Sequence, residues 1–206
     1  MFLFFRPFKK YGILLLTIFS AFQHISAQDK AYKDSLLSFR QSYVNTHEIV
    51  GKEDRKYFQF YPVNESLRIT ASFERIKDGK GFDMNTASGM KQKYFHYGLL
   101  TFKVHASLVH LYIYQSASLM KQKKYKDYLF VPFGDATSGY ESYGGGRYLD
   151  FTVSDIKNNK LLIDFNKAYN PYCAYTTGYD CPIPPKENLL TVAIPAGEKN
   201  YGKPVH

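Results

Sequence analysis

The feature that most limits the fold is a change of hydrophobic period at Gly51. Ahead of it, Tyr32, Leu36, Phe39 and Tyr43 recur at steps of four, three and four, one stripe of an α-helix. Beyond it the period falls to two. Leu67, Ile69, Ala71 and Phe73 alternate with Arg68, Thr70, Ser72 and Glu74, as a half-buried antiparallel strand requires. Leu100, Phe102 and Val104, then Val109, Leu111 and Ile113, repeat the pattern. Runs at 57–61, 93–97, 128–133, 147–153, 161–165 and 189–194 are bounded by Gly, Pro, Asn or Asp. Residues 78–81 read as a turn and 84–90 as a loop. Short strands with hairpin-length gaps predict a mainly β fold: an antiparallel β-sandwich or partly closed barrel with one N-terminal helix. The helix spans 28–50 in this reading and a single β-rich domain spans 51–206.

The first 27 residues read as a signal peptide. Arg6, Lys9 and Lys10 form a basic start, 12–22 an apolar run, and Ile25-Ser26-Ala27 a cleavage site. The apolar run is about half the ~20 residues that span a bilayer, so no membrane span is expected after cleavage. Removing the segment takes the net charge from +9 to +6. The expected localisation is exported, periplasmic or extracellular, and the residual charge favours an anionic envelope ligand. Nucleic acid is not the expected partner, because the lysines are scattered rather than arrayed along one helix. The oligomeric state is not legible.

Chemistry-bearing residues crowd into 129–199. The stretch 134–147 places Asp135, Ser138, Glu141 and Tyr143 on a glycine-rich backbone that ends in Arg147. Glycines let backbone approach a ligand, and an arginine can fork onto a carboxylate or phosphate. The alternative is a hairpin in which Asp135 pairs with Arg147. Neither a P-loop nor a dinucleotide fingerprint is present. Asp164, Asn166, Tyr169 and Asn170 form a second polar group, suited to a hard cation, to acid–base chemistry or to turn-making. Cys173 and Cys181, eight positions apart in an exported chain, most simply form a disulfide; a metal site would need two further ligands and a catalytic thiol a base. The prolines at 182, 184 and 185 stiffen the run after Cys181, so that Tyr172, Tyr175 and Tyr179 are presented as stacking surfaces or as a lid over a small core. His96, His105 and His110 fall on adjacent strands, His105 on the solvent side and His110 half-buried. No metal or cofactor is expected.

Four ordered motifs carry a family resemblance. D-A-T-S-G-Y-E-S-Y-G-G-G-R-Y-L at 135–149, D-F-N-K-A-Y-N-P-Y-C-A-Y at 164–175, C-P-I-P-P-K-E-N-L-L at 181–190 and I-P-A-G-E-K at 194–199 resemble the bacterial domain-of-unknown-function family 1684. The resemblance implies no reaction. Tyr172 stands where the family pattern has a second proline. The functional expectation is an exported ligand-binding or envelope-associated structural module taking an anionic or sugar-like ligand. The alternative is a hydrolase using paired carboxylates or a bound divalent cation.

Overall fold

The structure is a computed structural model that describes residues 11–204, with side chains from residue 28 onward. Arg6, Lys9 and Lys10 of the expected signal peptide lie outside the described residues. The chain divides into two compact units at Tyr43/Val44. Helix α1 (Tyr11–Thr46) accounts for the first and ends where the 3.6-residue period ends. Among the described residues, no helix is long and apolar enough to cross a membrane.

The second unit is one curled antiparallel sheet, so the partly closed barrel is the form taken. Its strands are β1 (Arg68–Arg75), β2 (Phe82–Asn85), β3 (Lys91–Val104), β4 (Ser107–Ser116), β5 (Tyr128–Phe133), β6 (Arg147–Thr152) and β7 (Lys160–Asp164). They lie in the order β6-β5-β4-β3-β1-β7, with β2 against β3. The alternating pattern assigns the faces. Leu100, Phe102, Val109, Leu111, Ile113, Leu129, Val131, Phe133, Leu149 and Ile163 fill the main core. Their strand neighbours Tyr94, Tyr114, Phe130 and Tyr148 build a second, aromatic cluster with Met84 on the opposite face. Tyrosines suit that face because each ring packs while its hydroxyl reaches a partner.

Several expectations are corrected. The runs 93–97 and 99–105 are one strand, β3, with a bulge between His96 and Gly98. Gly98 is needed there because a Cβ would lie 2.2 Å from the Phe73 ring. Residues 84–90 are not all loop, since 84 and 85 end β2. The run 57–61 is not a strand: a 3₁₀ helix takes Lys52–Tyr57, and only Phe60 bridges, to Glu198. The run 189–194 is not a strand either. Its hydrogen bonds go to a loop, Leu190 N to Gly134 O (2.8 Å) and Ile194 N to Asp135 Oδ2 (2.6 Å). His110 is exposed rather than half-buried, because it shares the solvent face of β4 with Leu108, itself 58% exposed.

Strands β4 and β5 pair at a single position, Tyr114 with Phe130. Asn188 fills the gap that opens beyond it. Its Oδ1 accepts from Tyr112 N (2.7 Å), and its Nδ2 donates to Tyr112 O (2.9 Å) and Pro132 O (2.7 Å). A fully buried side-chain amide thereby stands in for a strand backbone, giving the Tyr112 N–H and the Tyr112 and Pro132 carbonyls the partners that burial requires.

Candidate functional site

Asp135, Ser138, Arg147 and Asn170, and separately Asp164 and Asn166, form two hydrogen-bonded groups among the residues singled out from the sequence. Arg147, at the start of β6, is fully buried. Its Nη2 donates to Asp135 Oδ1 (3.2 Å) and Ile194 O (2.9 Å), and its Nη1 to Glu198 O (3.2 Å) and Ala196 O. Burial works against the guanidinium charge, while Asp135, Tyr61 and Glu198 sustain it. Asp135 in turn accepts from Thr137, Ser138 and Ile194 N. The Asp135–Arg147 pairing of the alternative reading is therefore formed, and it ties the 134–147 loop to 194–199. Asn170 grips the same segment: its N–H donates to Glu198 Oε2 (3.0 Å) and its Nδ2 to Lys199 O (2.8 Å). Asp164 and Asn166 make the second group. Asn166 donates to Asp164 Oδ1 (3.1 Å) and exchanges two 2.8 Å bonds with the backbone of Asn64. Glu141 is exposed, and the Tyr143 hydroxyl donates to Cys173 O (3.3 Å).

Two concavities lie beside this framework. One, of about 350 Å³, runs between the glycine-rich loop and Ile183, Pro184, Leu189 and Leu190. The polar side chains that reach it, Asp135 and Ser138, bond to each other, and the Asp135 carboxylate already serves Thr137, Arg147 and Ile194. The other, of about 270 Å³, is lined by Tyr148, Tyr169, Tyr172 and Tyr179, with Asp180 and the 171 and 181–182 backbone. Its aromatic walls meet edge to face, Tyr148 with Tyr169 at 5.8 Å and Tyr172 with Tyr179 at 5.2 Å. The Cys173–Cys181 disulfide is formed and closes the loop that carries Tyr179 and Asp180. Tyr172 packs on Tyr179 and donates to Glu48 Oε2 (2.9 Å).

Next to this cleft stands Asp150, one strand pleat beyond Tyr148 on the same face of β6. It is exposed yet ringed by phenols: Tyr128 donates to Oδ1 (2.6 Å), and Tyr169 reaches both oxygens (2.9 and 2.8 Å). Crowding by protein atoms raises the carboxyl above its usual range, opposed by the two tyrosine hydrogen bonds. The same crowding raises Tyr128, Tyr148 and Tyr169, and pushes Tyr94 up to about 12. Sequence reasoning missed Asp150 and Asp180. The one local signal was an acid in step with Tyr148 on a face otherwise tyrosine-rich.

His96 does not meet His105 or His110; β3 and β4 place it opposite Tyr114, while His110 pairs with Thr101. Its ring lies between two carboxylates, Asp78 Oδ2 at 3.1 Å and Glu187 Oε1 at 3.4 Å, with Tyr114 also donating to Glu187 (3.2 Å). Asp78 is held well below the usual carboxylate range by the N–H groups of Gly81 and His96. Among the described residues, no group of three or more His, Cys, Asp or Glu is placed to hold a metal ion.

The family model described as "Protein of unknown function (DUF1684)" matches residues 55–199, a span that takes in the framework, the cleft and His96. None of the curated proteins matches. Among solved structures, the chain resembles the solution NMR structure of an uncharacterized protein from gene locus rrnAC0354 of Haloarcula marismortui. The two are 27% identical over 84% of this chain and 96% of that one, with a TM-score of 0.62.

Proposed function

This chain belongs to the DUF1684 family of proteins of unknown function, and from that premise we propose that it is an exported binding module for a single ring-shaped, sugar-like ligand. The observation that carries the reading is the tyrosine-walled cleft of about 270 Å³, just under the roughly 300–1,000 Å³ usual for ligand pockets. Aromatic faces with hydroxyl and carboxylate groups at their rims match a ring that is apolar on its faces and polar at its edge. The disulfide and Pro182 hold the outer wall, so that little ordering cost accompanies binding. Of the anionic and sugar-like ligands expected from composition, the cleft favours the second. No basic residue lines it, and Arg147, the arginine singled out for an anion, is fully buried, with both terminal nitrogens donating to Asp135 or to backbone carbonyls.

Export rests on the leader-like first 27 residues and on the disulfide, which persists in oxidising compartments. The mass of the purified mature protein checks both. The binding reading is tested by calorimetric titration with neutral oligosaccharides. Tyr172→Ala and Tyr179→Ala should each weaken binding about tenfold, the loss of one aromatic contact, without shifting the far-UV circular dichroism. Unchanged affinity in both variants would remove the cleft from consideration.

A hydrolytic reading has one observation behind it, the convergence of Asp78, His96 and Glu187. Asp78 accepts from the backbone N–H groups of Lys80 and Gly81 in its own turn and of His96 on β3, which favours a structural role. A His96→Gln variant that loses hydrolysis of a substrate turned over by the wild type would reverse that preference.

A further inference from the structure

Resting on the binding reading, we infer that the ligand carries a protonated amine, so that the cleft takes an amino-sugar-like cation rather than a neutral sugar. Charge is the first ground. The chain holds 27 Lys and Arg against 18 Asp and Glu, yet the ionisable groups at the cleft other than the phenols are Asp180, on its lining, and Asp150, behind Tyr169. Neither acid has a Lys, Arg or His within ion-pair distance among the described residues.

Geometry is the second ground. The donors that reach Asp150 are phenols, which are neutral, and Oδ2 receives a hydrogen bond from Tyr169 alone. Each oxygen of a carboxylate has two acceptor sites, so an acceptor on Oδ2 remains for a ligand N–H. The walls are the third. Four tyrosine rings in two edge-to-face pairs line the cleft, and the negative face of an aromatic ring attracts a cation more strongly as water is excluded. A carboxylate crowded by protein atoms, with its pKa raised for that reason, gains more from an arriving cation than one in bulk water. The net positive charge of the rest of the chain disfavours adventitious binding of a cation elsewhere, so an amine preference reports on this cleft.

The test is isothermal titration of the oxidised protein with three tetrasaccharides of one backbone linkage: fully deacetylated glucosamine, N-acetylglucosamine and glucose. The glucosamine tetramer should bind at least tenfold tighter than the other two. Asp150→Asn and Asp180→Asn should each lower that affinity toward the neutral level, a larger loss than either causes for the glucose tetramer. Asp180 is exposed, so its variant carries the test should Asp150→Asn fold poorly by circular dichroism. Equal affinity for all three, still dependent on Tyr179, would overturn the amine and leave the binding reading standing. An amine preference unmoved by Asp180→Asn and by Tyr179→Ala would place the cation elsewhere and overturn the assignment. No binding of any tetramer would overturn both.

Discussion

Arg147 and Asn188 show how much one side chain carries when backbone is its partner. Arg147 satisfies three carbonyls and a buried carboxylate. Truncation leaves Asp135 buried without its counter-ion, so Arg147→Ala should cost about 3–5 kcal/mol of stability, read from urea unfolding by circular dichroism. Asn188→Ala strands one N–H and two carbonyls between β4 and β5. At about 1–3 kcal/mol per unmet buried group, it should lower stability by about 3 kcal/mol or more in the same assay. Asp150 runs the other way. Its pKa is raised in the folded state, so the folded protein holds the proton more tightly than the unfolded chain. Stability is then lost as pH rises from the unfolded carboxyl pKa through the folded one, and the deficit persists at neutral pH. Asp150→Asn should therefore raise the melting temperature at pH 7 and leave it nearly unchanged below pH 3. A lower melting temperature at pH 7 would show that the charge-assisted tyrosine bonds outweigh desolvation. Both acids at the cleft escaped the sequence reading, because a lone Asp, whether on β6 or in the disulfide loop, marks no site until tyrosines distant in the chain are folded beside it.

Among the elements, the turn between β1 and β2 depends on one carboxylate. Asp78 Oδ1 accepts from Gly81 N (2.8 Å) and Lys80 N (3.0 Å), and Oδ2 from His96 N (3.0 Å) on β3. Its pKa is depressed from 3.8, so the stability it adds is fully present above that value and is lost as pH falls through the folded pKa. Urea midpoints of the wild type should fall on acidification below about pH 4. Asp78→Asn should start lower and show a shallower decline; parallel curves would mean that other carboxylates govern acid unfolding. The turn, the alternation in β1 and the hairpin of β3 and β4 were legible because each rests on residues close in sequence. The runs 57–61 and 189–194 carried the same strand signal and formed no strand. Their hydrogen bonds are shared with Gly197, Lys199, Gly134, Asp135 and Arg147, contacts that no local pattern announces.

For the whole molecule, the disulfide sets the compliance of the cleft wall. Cys173 and Cys181 close a loop with a sequence separation of 8, and the chain-entropy account gives about 2–3 kcal/mol for a ring that small. Reduction should lower stability by that amount in urea. It should also weaken ligand binding, because Tyr179 and Asp180 lie inside the closed loop. A mass spectrum showing two free thiols in the native protein would remove both expectations. The four stretches 135–149, 164–175, 181–190 and 194–199 tie the molecule together in a similar way. Arg147, Asn170, Asn188 and Glu198, one or more from each motif, are wholly or almost wholly buried, and their bonds join segments far apart in the chain.

By itself the sequence determined one N-terminal helix, the β class, which strand positions face the core, the cysteine pairing and the family. Each of these rests on periodicity, on composition or on residues near one another along the chain. Tertiary structure decided that the sheet curls into one half-barrel, that Asn188 completes its β4–β5 seam, and that Arg147 is a buried latch. It also decided that Tyr148, Tyr169, Tyr172 and Tyr179 share a cleft bordered by two acids that, among the described residues, form no ion pair. Those outcomes depend on which distant hydrogen-bonding groups are left unmet when the sheet closes, and that balance is struck only in three dimensions.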